Sequence, residues 1–140
     1  MKGMVNFMEK VFVCSPMKGD VEKNLKLDKF AARVLIGSGY IPIAPHLYFP
    51  QFLDDNDQYE RIKGIKMGVE LMKECDRMWI IGTSITNGME YEINEAKKAK
   101  VPALLYDEKL RQIDPATILL DDRLDADYRR IVKGLLFYRY

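Results

Sequence analysis

Short, near-continuous apolar runs punctuate this chain, and helical periodicity fills the intervals between them. Val11-Phe12-Val13-Cys14 stops at Ser15-Pro16, Arg77-Met78-Trp79-Ile80-Ile81 stops at Gly82, and Val101-Pro102-Ala103-Leu104-Leu105-Tyr106 stops at Asp107. A strand without apolar–polar alternation is buried on both faces, which is the habit of a parallel sheet covered by helices. From Asp20 to Ser38, Leu27, Phe30, Ala31, Val34 and Leu35 recur at helical spacing, and Gly37-Ser38-Gly39 ends the run. Tyr40-Ile41-Pro42-Ile43-Ala44 reads as a shorter strand, and Pro42 with the adjoining Pro45 predicts an edge position. A second helix is predicted over Asp57–Glu74 with Ile62, Ile65, Val69 and Met72 as its stripe, and a third from near Gly88 to near Lys100. Beyond Asp107 the pattern weakens: Ile118-Leu119-Leu120 is a candidate fifth strand, and Leu124 to Phe137 a helix with Tyr128, Ile131, Val132 and Leu135 on one side. Strand–helix alternation of this kind predicts an α/β three-layer sandwich, with a Rossmann- or flavodoxin-like parallel sheet of four to five strands in one domain over 1–140.

Composition narrows the function classes. The chain of 140 residues carries 22 Lys and Arg against 21 Asp and Glu, a net charge of +1. Such a balance argues against a general nucleic-acid binder, which shows a basic excess. No apolar run approaches the length of a membrane span, and Met1 to Lys10 lacks the apolar core of a signal peptide, so no membrane association is expected. Cys14 and Cys75 do not make a disulfide framework and read as reduced thiols in a cytoplasmic protein. One histidine and two distant cysteines leave no usual zinc cluster, and no metal is expected.

In a parallel α/β sheet, ligands bind at the carboxyl ends of the strands. That rule selects three loops. None holds a phosphate-binding G-x-x-x-x-G-K-[ST] or G-x-G-x-x-G pattern, and there is no G-x-S-x-G elbow. The first loop offers small residues and a lysine, Ser15-Pro16-Met17-Lys18-Gly19, ahead of a helix cap at Asp20. The second, Pro45 to Asp57, sets His46 and the aromatics Tyr48, Phe49 and Phe52 beside Asp54 and Asp55. It suits base stacking and hydroxyl binding, or alternatively core and subunit packing. The third places Thr86, Asn87, Gly88 and Met89 at a helix start, where free N–H groups and the dipole suit an anion, or where Thr86 or Asn87 simply caps the helix.

The third helix carries the sharpest signal. At about 100° per residue, Met89, Ile93, Ala96 and Ala99 define its buried arc, and Glu90, Asn94, Lys97 and Lys98 its solvated side. Glu92 falls inside the apolar arc, one turn from the helix start. A carboxylate there is costly unless paired, with Arg33, Arg61 or Lys18 as available cations, and is otherwise a functional candidate.

At these residues the chain resembles the nucleoside 2-deoxyribosyltransferase superfamily, which includes the 2'-deoxynucleoside 5'-monophosphate N-hydrolases. Three stretches carry the resemblance: Val13 to Gly19, Glu74 to Gly82, and Thr86-Asn87-Gly88-Met89-Glu90-Tyr91-Glu92-Ile93-Asn94-Glu95-Ala96. The chain is also similar to a small uncharacterised branch sharing Pro45-His46-Leu47-Tyr48. The resemblance implies that Glu92 attacks the anomeric carbon of a nucleoside or nucleotide, forming a glycosyl-enzyme that water or a second base resolves. A carboxylate suits the positive, oxocarbenium-like transition state. By the same resemblance Ser15, Pro16, Met17, Gly19, His46, Asp54, Thr86, Asn87, Gly88 and Met89 surround the substrate, and Thr86, where the N-hydrolases carry serine and the transferases aspartate, favours a 5'-monophosphate. It implies no metal or redox cofactor and a homo-oligomer whose pockets are completed between subunits. The Leu124 to Tyr140 tail, ending Phe137-Tyr138-Arg139-Tyr140, is a candidate interface. One departure stands out. Gly68 occupies the position of an acid that handles a proton in the family, with Asp54, Asp55 or Glu70 as nearby acids, and this keeps a non-catalytic nucleotide-binding role as the alternative.

Overall fold

The computed structural model describes residues 8–138. Five strands form one sheet: β1 (Lys10–Cys14), β2 (Ile41–Ile43), β3 (Arg77–Ile81), β4 (Ala103–Tyr106) and β5 (Gln112–Ile113), in the order β2-β1-β3-β4-β5. The first four are parallel, with Val11 opposite Pro42 on one side and Arg77 on the other, and Trp79 opposite Leu104. β5 returns antiparallel to β4, Ile113 pairing with Leu105. Pro42 lies on β2, an edge strand whose outer side has no ladder to lose.

Alternate residues of the strands feed two cores. Val11, Val13, Trp79, Ile81, Leu104 and Tyr106 meet Ala31 and Leu35 of α1 (Val21–Gly37) on one face. Phe12, Cys14, Met78, Ile80 and Leu105 meet the other helices on the opposite face: α2 (Gln58–Lys73), α3 (Asn87–Ala99) and α4 (Ala126–Val132). Both faces of β1 and β3 are therefore dry, which is why their sequences run apolar without alternation. Among the described residues no helix is long and apolar enough to cross a membrane.

Several expectations are corrected. Ile118-Leu119-Leu120 is not a strand but the end of a 3-10 turn, Pro115–Leu120, with Leu119 and Leu120 exposed. Asp114 caps this turn by accepting the Ala116 N–H, and Pro115 follows at its first position, where the missing N–H costs nothing. The fifth strand lies earlier, set by Asp107, whose carboxylate accepts the Lys109 and Arg111 N–H groups at 2.9 Å and turns the chain back on β4. The last helix stops at Val132 rather than near Phe137, because the backbone turns extended at Lys133, with ψ 131, and left-handed at Gly134, with φ +93. Phe137 then bridges to Ala103, and the Trp79 indole N–H donates to the Tyr138 hydroxyl at 3.1 Å, so this part of the tail packs on its own chain; Arg139 and Tyr140 lie outside the described residues. Phe30 and Ile62, assigned to apolar stripes, are exposed. Ala99 is exposed as well, at the last position of α3 before Lys100 turns left-handed with φ +58.

Candidate active site

The chain leaves β1 toward β2 on one side and returns to β3 on the other, so the switch point lies between β1 and β3. There the carboxyl ends of both strands open into loops. Gly82 ends β3 with φ +110, and a side chain at that position would meet Pro16 of the first loop at 3.6 Å. That contact is an ordinary one; the left-handed backbone is what calls for glycine. Over this end of the sheet lies a recess of about 660 Å³, open solvent at its entrance included.

Glu92 forms part of its floor. It is 4% exposed, packed among Met89, Ile93 and Ala96 on the inner side of α3, as the helical wheel required. Thr86 caps that helix, its Oγ1 accepting the Met89 N–H at 3.3 Å; Asn87, the other candidate cap, is exposed at the first helical position. Among the described residues Glu92 has no ion pair with Lys or Arg, so none of Arg33, Arg61 and Lys18 neutralises it. Burial pushes its carboxyl up to about 7, opposed by the nearby His46 charge and the Cys14 thiol, which favour the ionised form, and reinforced by Asp28. Cys14 is fully buried, and burial together with the Glu92 and Asp28 carboxylates holds its thiol well above the ordinary value, so it stays protonated.

A second carboxylate reaches the same place from the other side of the sheet. Asp28 of α1 is 1% exposed and accepts a short hydrogen bond from the Ser15 hydroxyl through Oδ1. Its Oδ2 has no hydrogen-bond partner and faces Nδ1 of His46 at 3.5 Å. The same Nδ1 is 3.5 Å from Ser15 Oγ. Burial opposes protonation of His46, but Asp28, Glu92 and Asp55 outweigh it and raise the imidazole above its usual value. Asp28 was not singled out from the sequence, yet it lies three and seven residues before Ala31 and Leu35, the two other buried positions of α1. The wheel that isolates Glu92 isolates Asp28 too.

The remaining expectations divide. Ser15, Met17, His46, Thr86, Gly88 and Met89 line the recess with Glu92. Pro16, Gly19, Asp54 and Asn87 do not. Pro16 packs on Gly82, Gly19 takes φ +92 in the turn before α1, and Asp54 faces outward, its Oδ1 accepting the Asn56 N–H. Lys18, Arg61 and Phe49 line the mouth. Neither Lys18 nor Arg61 has an ion-pair partner among the described residues. Tyr48, Phe49 and Phe52 form no core. Tyr48 meets Phe49 and Phe52 edge-on at 5.3 and 5.1 Å, and Tyr48 and Phe52 are exposed. Of the acids near Gly68, Glu70 points to solvent and pairs with Lys73, while Asp55 borders the recess. A side chain at Gly68 would meet Pro45 at 3.5 Å and Glu92 Oε2 at 3.9 Å. Among the described residues no three His, Cys, Asp or Glu side chains are grouped to hold a metal ion.

The fold is shared with solved structures of low sequence similarity. The 2-deoxyribosyltransferase of the psychrotolerant bacterium Bacillus psychrosaccharolyticus superposes with a TM-score of 0.60 at 18% identity, covering 93% of this chain and 99% of that one. A conserved protein from Enterococcus faecalis V583 superposes at 0.59 with 13% identity, covering 94% and 90%. The chain thus has a deoxyribosyltransferase-like fold. No curated protein matches it in sequence. A family model does match, over residues 9–106, the span that runs from β1 to β4 and contains every residue of the recess; the chain belongs to the family described as Domain of unknown function (DUF7768).

Proposed function

We propose that this protein cleaves the N-glycosidic bond of a nucleoside or nucleoside 5'-monophosphate, with Glu92 as the nucleophile and water or a second base as the acceptor of the sugar. The observation that carries the reading is a buried carboxylate at the floor of an open recess with no Lys or Arg beside it. A sugar becoming positive at its anomeric carbon is stabilised by a carboxylate held in that position. As the C1'–N bond breaks, its electron pair leaves with the base and a Glu92 oxygen bonds to C1'. Water or another base then attacks C1' and frees the carboxylate. The deoxyribosyltransferase-like fold supports the same class of chemistry.

A 5'-phosphate fits the mouth of the recess. Lys18 and Arg61 border it as cations without ion-pair partners, and α3 begins there. The Thr86 hydroxyl accepts the cap hydrogen bond and keeps its own proton to donate. The free thiols of Cys14 and Cys75 support a cytoplasmic location, and light scattering in solution would test the expected homo-oligomer.

Gly68 favours a second reading, a nucleotide-binding module without turnover, since the position of α2 that lies next to Glu92 carries no side chain. Liquid chromatography of base release separates the two. Deoxynucleosides, ribonucleosides and their 5'-monophosphates would be tested with and without an acceptor base, beside Glu92→Gln. Release abolished by that substitution supports the glycosidase, and a preference for monophosphates supports the anion site. Equal release by Glu92→Gln removes Glu92 from the chemistry. Saturable binding with no release from any substrate establishes the binding module.

A further inference from the structure

We infer that His46, which lines the recess and has Asp28 and Ser15 at its Nδ1, is the acid–base group of this site, acting through Nε2. The inference rests on the glycosidase reading above and adds to it the proton that the departing base requires.

Three elements converge to orient one imidazole. Ser15 follows β1, Asp28 comes from α1, and His46 sits in the turn Pro45–Leu47 after β2. Two polar atoms, Ser15 Oγ and Asp28 Oδ2, lie at 3.5 Å from Nδ1. Asp28 is buried and its Oδ2 has no hydrogen-bond partner, so an N–H on Nδ1, 3.5 Å away, is a donor within reach of it. That arrangement assigns the proton of the neutral ring to Nδ1 and leaves Nε2, on the far side, to exchange protons with a ligand. Pro45 packs beside Gly68, where an added Cβ would touch it at 3.5 Å, and the turn that Pro45 begins brings His46 to the same recess as Glu92. The other acids at the mouth are less suited: Glu60 accepts the Asp54 N–H at 2.8 Å, and Asp55 is exposed.

Protons balance over the cycle. Protonated His46 gives its Nε2 proton to a ring nitrogen of the base as the C1'–N bond breaks and the electron pair moves onto the base. Neutral His46 then takes a proton from the attacking water, whose oxygen bonds to C1' as the C1'–O bond to Glu92 breaks and returns its electron pair to the carboxylate.

His46 is the only histidine of the chain, so its imidazole resonances need no assignment. The groups that act on it are Asp28 from α1, Glu92 from α3 and Asp55 from the loop before α2, with the Ser15 hydroxyl after β1 at 3.5 Å from Nδ1; Lys18, Glu60 and Arg61 are the other charged groups that line the recess. The test measures kcat and KM for base release against pH in wild type, His46→Gln and Asp28→Asn, with the His46 titration followed by NMR. His46→Gln should lower kcat about 100-fold or more with little change in KM. Asp28→Asn should move the alkaline limb of the pH profile to lower pH, in step with the NMR titration of His46. If Asp28→Asn does not fold, Ser15→Ala reports on the same orientation, through loss of the Nδ1–H form in the nitrogen spectrum. Release that is lost in Glu92→Gln but unchanged in His46→Gln, or a His46→Gln effect confined to KM, overturns this inference and leaves the glycosidase standing. No release by wild type overturns both.

Discussion

Glu92 holds a proton to higher pH in the folded chain than in the unfolded one, because burial disfavours its charged form. The unfolded carboxyl ionises near 4.5 and the folded one near 7, so between these values the native state binds more protons and stability falls as pH rises. His46, raised above 6.5, acts in the same direction at higher pH, as the stability gained from its carboxylate partners is lost when it deprotonates. We predict that Glu92→Gln is more stable than wild type at pH 8, by on the order of 3 kcal/mol at most, and that the advantage shrinks toward pH 5. Urea denaturation at the two pH values measures this, and a pH-independent difference would contradict it. Glu92 was legible in the sequence because its helix has a clean apolar arc. Asp28 obeys the same arithmetic, but Leu27, Phe30 and Val34 crowd around it and blur the face to which it belongs. What no spacing could show is that Asp28, Ser15 and His46 meet, since they lie on three separate elements.

At the scale of elements, caps and glycines make separable predictions. Thr86→Ala removes the side-chain acceptor from the first turn of α3 and should cost about 1 kcal/mol, whereas Asn87→Ala at the exposed neighbour should cost little. Denaturant midpoints of the two variants check the assignment of the cap. Gly68→Ala should leave stability unchanged or raise it by up to about 1 kcal/mol, because an added Cβ meets Pro45 and Glu92 at ordinary contact distances and alanine favours the helix. A large loss of stability would show that Pro45 cannot share the space. Elements with strong periodicity were readable to within a few residues, α1, α2 and α3 among them. The region after Asp107 was not. There the apolar run of Ile118 to Leu120 mimics a strand, while Asp114-Pro115 begins a turn and the true strand is two residues long.

Across the whole molecule, stability rests on the two layers of packing about β1 and β3. Ile80 is fully buried in the core beneath α2 and α3, and Ile80→Ala should cost about 2–5 kcal/mol in thermal or chemical denaturation. Tyr138→Phe deprives the Trp79 indole N–H of its acceptor at the other face and should cost on the order of 1 kcal/mol; no change in the denaturation midpoint would show that water replaces the hydroxyl. By itself the sequence determined the α/β class, the order of the main elements, the edge position of β2 and the inward placement of Glu92. All of these follow from local periodicity and from the chemistry of proline and glycine at element ends. Only the tertiary structure decided the antiparallel return of β5, the packing of Phe137 and Tyr138 on their own sheet, and the meeting of Asp28, Ser15 and His46 beside Glu92. These depend on contacts between residues far apart in the chain, and side-chain period carries no information about which distant surface a given face will meet.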